Sequence, residues 1–216
     1  MHFAREGHPY IFGLGLGSLI LGLCGFQMLG LLLLLLTLFV AFFFRDPERA
    51  APRGERFILS PADGRVIALE KNFHEERFLA APATRVGIFM SPLDVHVNRS
   101  PIAGVIEGVR YQKGAFHVAS EARASVENEM NVFAVRGSQG VVVVKQIAGV
   151  LARRIVFWKK AGDALARGER FGLIKFGSRV DVLLDRTAEV RVRVGERVHA
   201  GSTTLARSAR GDSSGG

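Results

Sequence analysis

The sequence predicts a mainly β (α+β) fold: a sandwich or partly closed barrel-like β domain carrying an N-terminal hydrophobic membrane segment. Three observations predict it. No charged residue occurs between Ile11 and Phe44, a run suited to a bilayer or a large buried core. From Arg53 onward, short β-branched segments such as RVGIFM and NVFAV alternate with Gly, Pro, Asn and Asp, the texture of strands joined by tight turns. A length of 216 residues suffices for one sizeable core plus an extra element.

The elements follow in order. Residues 1–45 read as a membrane anchor. One spanning helix needs ~20 apolar residues, so the run is too long for one upright helix and barely long enough for two. The preferred reading is a close-packed helical hairpin turning near Gly25-Phe26-Gln27, with a single long tilted helix as the alternative. Arg5 precedes the run and Arg45, Arg49 and Arg53 follow it, so a hairpin would keep both flanks, and the β domain, on the cytoplasmic face of the inner cell membrane. A cleaved signal peptide fits poorly: its apolar region is ~7–15 residues and ends in small residues, whereas this run ends AFFFRDPER.

Residues 46–206 form the β domain. GVVVVKQIAGVLARRIVFW (140–158) holds two strand-like segments around an Ala-Gly pair, and AEVRVRVGERVHAGSTTLA (188–206) alternates and then turns at Gly195 and Gly201. Strands this short and this often interrupted suit a sandwich or barrel. The stretch HVASEARASVENE (117–129) is the one helical candidate, with irregular apolar spacing. Residues 207–216 are small and polar and are expected to be disordered.

Charge narrows the partners. Lys and Arg number 29 against 20 acidic residues, a formal net charge of +9, which favours anionic partners such as phospholipid headgroups. Nucleic acid is a poor competitor, because the basic residues are scattered and a single Trp158 and two tyrosines offer little stacking surface. Arg45, Arg49, Arg53 and Arg56 would hold the domain against an anionic leaflet. Cys24 is the only cysteine, so one chain builds neither a disulfide nor a Cys-based zinc site.

The chemistry turns on GLIKFGSRVDVLL (172–184), an apolar strand pattern with Gly177-Ser178 at its middle. Three other Gly-Ser steps exist, at residues 17, 137 and 201, but only this one has apolar strand residues on both sides. On spacing alone a β-bulge or a close backbone approach is the more economical account. The functional account is that Ser178 attacks the Gly177 carbonyl, for which glycine leaves the approach open. An N-to-O acyl shift gives an ester; loss of the Ser178 α-proton eliminates it, and hydrolysis of the resulting dehydroalanine leaves a pyruvoyl group. Such a ketone can condense with a substrate amine and act as an electron sink.

Four ordered motifs, FFRDPER (43–49), SPADG (60–64), DVHVNRSPIAG (94–104) and GERFGLIKFGSRVDV (168–182), together resemble the phosphatidylserine decarboxylase family, in its short bacterial and archaeal-type branch. The resemblance implies self-cleavage at 177/178 into a β chain (1–177) and an α chain (178–216) that stay associated; whether subunits pair into a homo-oligomer stays open. It also implies a membrane enzyme that converts phosphatidylserine to phosphatidylethanolamine and CO2 through a Schiff base to the covalent pyruvoyl cofactor. Carried over by motif, Ser178 is the pyruvoyl precursor and Asp63 and His96 are the acid and histidine of the catalytic set. An imidazole supplies a base near neutrality, and a carboxylate can fix its tautomer. No metal is implied.

The chain also departs from the family. Longer members carry a second histidine where this one has Arg99, which cannot shuttle protons but could clamp a substrate phosphate or carboxylate. Met130 replaces an arginine in VENEMN. His117, near that segment, is a reserve candidate, whereas His2, His8, His74 and His199 have no supporting context. Without the resemblance, Asp63 reads equally as a turn residue and His96 as a strand histidine. Two rival readings stay open: a membrane-tethered, non-catalytic barrel-sandwich adaptor, suggested by GERVHAGSTTLA, and the same decarboxylation on another serine-headgroup lipid such as archaetidylserine.

Overall fold

The computed structural model describes residues 2–75, 77–117, 127–149, 154–175 and 178–209. The chain divides into two compact units, Met1–Glu48 and Arg49–Gly216.

In the first unit, strand β1 (His2–Phe3) pairs antiparallel with β2 (Arg45–Asp46). Between them run helices α1 (His8–Leu23) and α2 (Gln27–Phe43). Pro9 stands at the start of α1, where its missing N–H costs nothing. Gly25, at φ +87°, supplies the left-handed residue of the turn. The helices pack closely: the Ser18 hydroxyl donates to the Gly30 carbonyl at 2.7 Å, and a Cβ on Gly30 would lie 3.1 Å from the Gly22 nitrogen. The expected membrane-spanning segment is not supported. Helices of 16 and 17 residues extend roughly 24–26 Å at ~1.5 Å per residue, short of a ~30 Å hydrocarbon core. Among the described residues, no helix is long and apolar enough to cross a membrane.

The second unit is mainly β. Its strands are β3 (Phe57–Leu59), β4 (Gly64–Phe73), β5 (Ala83–Met90), β6 (Val97–Arg99), β7 (Gly104–Gln112), β8 (Met130–Gly137), β9 (Gly140–Ala148), β10 (Ile155–Phe157), β11 (Ala164–Leu165), β12 (Arg170–Ile174), β13 (Ser178–Asp185), β14 (Glu189–Val190), β15 (Arg197–Val198) and β16 (Thr204–Arg207). Eight form one antiparallel sheet in the order β11-β7-β8-β9-β13-β5-β4-β15, which curls into a half-barrel. Two three-stranded sheets, β10-β12-β6 and β14-β16-β3, contribute Phe171, Ile174, Leu205 and Ile58 to the main core. There they pack with Val86, Ile88, Val144, Val180 and Val182 of the large sheet. Period-two alternation sets this face. On β13, Ser178, Val180, Val182 and Leu184 share it, while Arg179, Asp181 and Leu183 take the other.

That other face carries a second apolar cluster of Met130, Val132, Ala134, Val143, Ile147 and Leu183, threaded by buried charge. Asp181 accepts from Arg179 Nε at 2.6 Å and from Arg85 Nη1 at 3.4 Å; Arg85 also pairs with Glu70, and Lys145 donates to Glu75 at 2.7 Å. Buried ions persist only when paired in this way.

Two expectations change. GLIKFGSRVDVLL is not one strand: its first part ends β12 in a small sheet at Ile174, and its second begins β13 in the large sheet at Ser178. The pairing of β13 with β5 is unbroken from Ser178–Met90 to Asp185–Ala83, and the bulge expected at the Gly-Ser step involves residue 177, which lies outside the described residues. The step falls where the chain changes sheets. The tail expected from 207 is engaged at its start: Arg207 closes β16, and the buried Ser208 donates to the Gln139 carbonyl at 3.1 Å. The helical candidate at 117–129 lies largely outside the described residues.

Candidate active site

Ser178, fully buried, opens the central strand β13 between Met90 of β5 and Ala148 of β9. Its hydroxyl donates to Met90 Sδ at 3.4 Å. A thioether is a weak acceptor, so among the described residues no strong hydrogen bond holds this oxygen back from reaction. Asn98 Nδ2 addresses the same sulfur at 3.8 Å. Behind Asn98 runs a buried amide chain: Gln146 Nε2 donates to Asn98 Oδ1 at 2.9 Å, and Asn131 Nδ2 donates to Gln146 Oε1 at 3.1 Å. Residue 177 lies outside the described residues.

His96 is 2% exposed. Its Nδ1–H donates to the Asp94 carbonyl at 2.9 Å, which fixes the neutral ring in the tautomer whose lone pair is on Nε2. Asp94 is held in turn by Arg197 Nη2 at 2.5 Å and by the Ser91 N–H. Asp63 is buried at the entrance to β4, but its partners are different. Oδ1 accepts from the Ala200 N–H at 2.8 Å; Oδ2 accepts from Arg49 Nη2 at 2.8 Å and meets His199 Nδ1 at 3.2 Å. No hydrogen bond joins Asp63 to His96 among the described residues, so the histidine whose tautomer this carboxylate can fix is His199. Gly64 makes the corner possible. Its φ is +154°, and a Cβ there would lie 2.1 Å from the Phe89 carbonyl oxygen, so only glycine lets β4 approach β5 with Asp63 at its end.

Arg99 is buried beneath Gly201, whose Cβ would meet its Cδ at 2.8 Å, and its Nη1 donates to the Gly168 carbonyl at 3.3 Å. It braces two turns. His117 lies on the Ser178 row indirectly: the Asn128 side chain bonds both its N–H and its carbonyl, and also donates to the Ala148 carbonyl at 2.7 Å. His117 Nε2 meets Glu127 at 2.9 Å. Beside this segment, burial and the neighbouring Glu129 carboxylate push the Tyr111 phenol up to about 12. Among the described residues no group of His, Cys, Asp and Glu is placed to hold a metal ion.

Sequence reasoning missed Met90, Asn98, Gln146, Asn128 and His199. One signal for Asn98 was available: His96 and Asn98 are two apart in DVHVNR, a spacing that puts both on one face of an extended chain. None existed for His199, which reaches Asp63 only because β15 pairs Val198 with Gly64.

A family model described as phosphatidylserine decarboxylase matches residues 36–206. Three relatives, each named phosphatidylserine decarboxylase proenzyme, are similar over most of their length. That of Syntrophus aciditrophicus is 45% identical over 94% of this chain and 95% of its own. That of Solibacter usitatus is 50% identical over 81% of each, and that of Ralstonia nicotianae 44% identical over 94% of each. The family model's span takes in the Ser178, His96 and Asp63 motifs alike, and the chain belongs to the phosphatidylserine decarboxylase family.

Proposed function

We propose that the protein is made as a precursor, cuts itself before Ser178 to create a covalent pyruvoyl group, and then decarboxylates phosphatidylserine to phosphatidylethanolamine. The observation that carries this reading is a fully buried serine at a sheet crossover whose hydroxyl, among the described residues, bonds a thioether.

The residues present fit a carbonyl group at this position. Asn98 Nδ2 is a buried donor whose acceptor is a sulfur at 3.8 Å, and a carbonyl oxygen would serve it better. When bound, a pyruvoyl ketone condenses with the substrate amine and takes up the electron pair released as CO2 leaves. The chain's own residues do the rest. His96, its tautomer set by Asp94, is the group to accept the serine proton during maturation and to deliver a proton in the lyase reaction. Asp63 holds His199 and Arg49 at the mouth of the same sheet end.

The substrate is a lipid, and the first unit supports a membrane location on the cytoplasmic face. Its helices expose Phe12, Leu16, Leu23, Met28 and Leu32, so the hairpin dips into one leaflet without spanning. Arg45, Arg53 and Arg56 would meet anionic headgroups; the Arg49 guanidinium pairs with Asp63.

Intact-mass analysis of the purified protein tests the reading. Two fragments divided at 177/178, the second beginning with a pyruvoyl group, are expected, with Ser178→Ala left whole and inactive on phosphatidylserine vesicles. A single uncut chain with an unmodified serine would refute it and favour a non-catalytic adaptor.

A further inference from the structure

A two-residue edge strand reaches both carboxylates of the candidate site. β15 pairs with the start of β4, Arg197 opposite Arg65 and Val198 opposite Gly64. Val198 belongs to the main core, so Arg197 and His199, two positions apart, project from the other face. His199 Nδ1 meets Asp63 at 3.2 Å, and Arg197 Nη2 donates to Asp94 Oδ1 at 2.5 Å. The row Arg197–Arg65–Phe89 places the arginine level with the end of β5, two residues before Ser91 opens the following turn. Asp94 closes that turn: its N–H donates to the Ser91 carbonyl at 3.0 Å, and its Oδ2 accepts from the Ser91 N–H at 2.8 Å. The Asp94 carbonyl then accepts from His96 Nδ1 at 2.9 Å. The imidazole therefore hangs from Asp94, and Asp94 hangs from Arg197. Unequal exposure gives the arginine its leverage, since the Asp94 side chain is 7% exposed and that of Arg197 60%. Among the described residues Arg197 is the carboxylate's one cationic partner, and an unpaired buried carboxylate is costly enough to turn toward water. That turn would carry along the Asp94 carbonyl and the ring bound to it.

We propose that Arg197 is a positioning residue for His96, acting through Asp94. The inference rests on the proton-transfer role of His96 proposed above. In this part Arg197 moves no proton; it sets where the imidazole stands. Proton transfer needs its partners within hydrogen-bond reach, and a displacement of about 1 Å can cost on the order of 100-fold in rate. An ion pair with one solvated member holds less firmly than a buried one, so removing the arginine is expected to cost about 10-fold. Arg197 lies downstream of Ser178 in the chain, whereas Asp94 and His96 lie upstream. A cut before Ser178 would leave this strut joining the two fragments, so one residue serves both maturation and decarboxylation.

The test measures kcat and KM on phosphatidylserine vesicles, taking the fraction of cut chains from intact mass as the concentration of active sites. Arg197→Met removes the charge and keeps the length, and Arg197→Lys keeps the charge. Expected are a kcat about 10-fold lower in Arg197→Met at unchanged KM, and recovery of most of it in Arg197→Lys, with melting temperatures near the parent's. Self-cleavage of fresh precursor, followed on denaturing gels, should slow in the same order; if a variant is cut too little for turnover, this rate decides. Asp94→Asn supplies a second arm, because it keeps an oxygen for the Ser91 N–H and removes the charge that Arg197 holds. Since Arg197 acts through Asp94, the double variant Arg197→Met/Asp94→Asn should be no slower than Asp94→Asn alone. Wild-type rates in Arg197→Met, a raised KM at unchanged kcat, or additive losses in the double variant would overturn the proposal. An uncut wild-type chain, or a His96→Ala protein with wild-type cleavage and turnover, would instead overturn the reading of the site on which it rests.

Discussion

Asp181 anchors the strand that begins with the reactive serine, and its charge can be removed almost isosterically by Asp181→Asn. The carboxylate is fully buried and accepts from Arg179 Nε at 2.6 Å and Arg85 Nη1 at 3.4 Å. Arg85 keeps Glu70. Arg179, 2% exposed, would keep no carboxylate, and its Nη2 has no hydrogen-bond partner among the described residues. Stranding one buried ion costs about 3–5 kcal/mol; the surviving Arg85–Glu70 pair argues for the lower end, about 3 kcal/mol. For a chain of this size each kcal/mol shifts Tm by ~2–4 °C, so a fall of roughly 6–12 °C is expected. The assay is thermal unfolding on a Ser178→Ala background, which keeps every molecule a single chain. The pair Arg179→Met/Asp181→Leu, which replaces ions with apolar volume, should recover most of the loss. A Tm for Asp181→Asn within about 2 °C of its parent would refute this account of the outer face.

Two further outcomes are expected. Asp63→Asn should cost about 2 kcal/mol in thermal denaturation, because a charged acceptor for Arg49, His199 and the Ala200 N–H is lost. His199→Ala, which removes a half-exposed partner, should cost under about 1 kcal/mol; equal losses would contradict this ranking. Alkaline titration followed by tyrosinate absorbance should show a late phase at about pH 12 that disappears in Tyr111→Phe. The phenol's folded pKa is raised, so its contribution to stability is present below the ordinary value near 10 and is lost as pH rises through about 12. Loss of a phase near pH 10 in Tyr111→Phe would contradict the assignment.

Much of the β domain was legible because its strands are short, β-branched and bounded by glycine. RVGIFM and NVFAV fall within β5 and β8. AEVRVRV alternates as a strand would, yet its regular strand is Glu189–Val190, extended by the Arg191 N–H to the Leu205 carbonyl, because pairing needs a neighbour that alternation alone does not supply. The uncharged run showed its composition but not its depth, since 34 apolar-rich positions fit two short helices as well as one long one. In the site, Ser178, His96 and Asp63 were legible as members of motifs. Their partners were not. Asp63–His199 and Asn98–Gln146 join residues 136 and 48 positions apart, and only the order of strands in the sheet brings them together.

The place of β13 has a consequence for the processed protein. A cut before Ser178 would release a strand whose two neighbours, β5 and β9, both stay with the preceding fragment. Downstream, β15 and β16 pair with β4 and β3 of that same fragment. The two pieces would thus be interleaved, each finishing the other's sheets, and pulling them apart would amount to unfolding both. Once separated by denaturant, they would have to meet again by diffusion, so recovery should become second-order in protein where the uncut chain recovers in a single-molecule step.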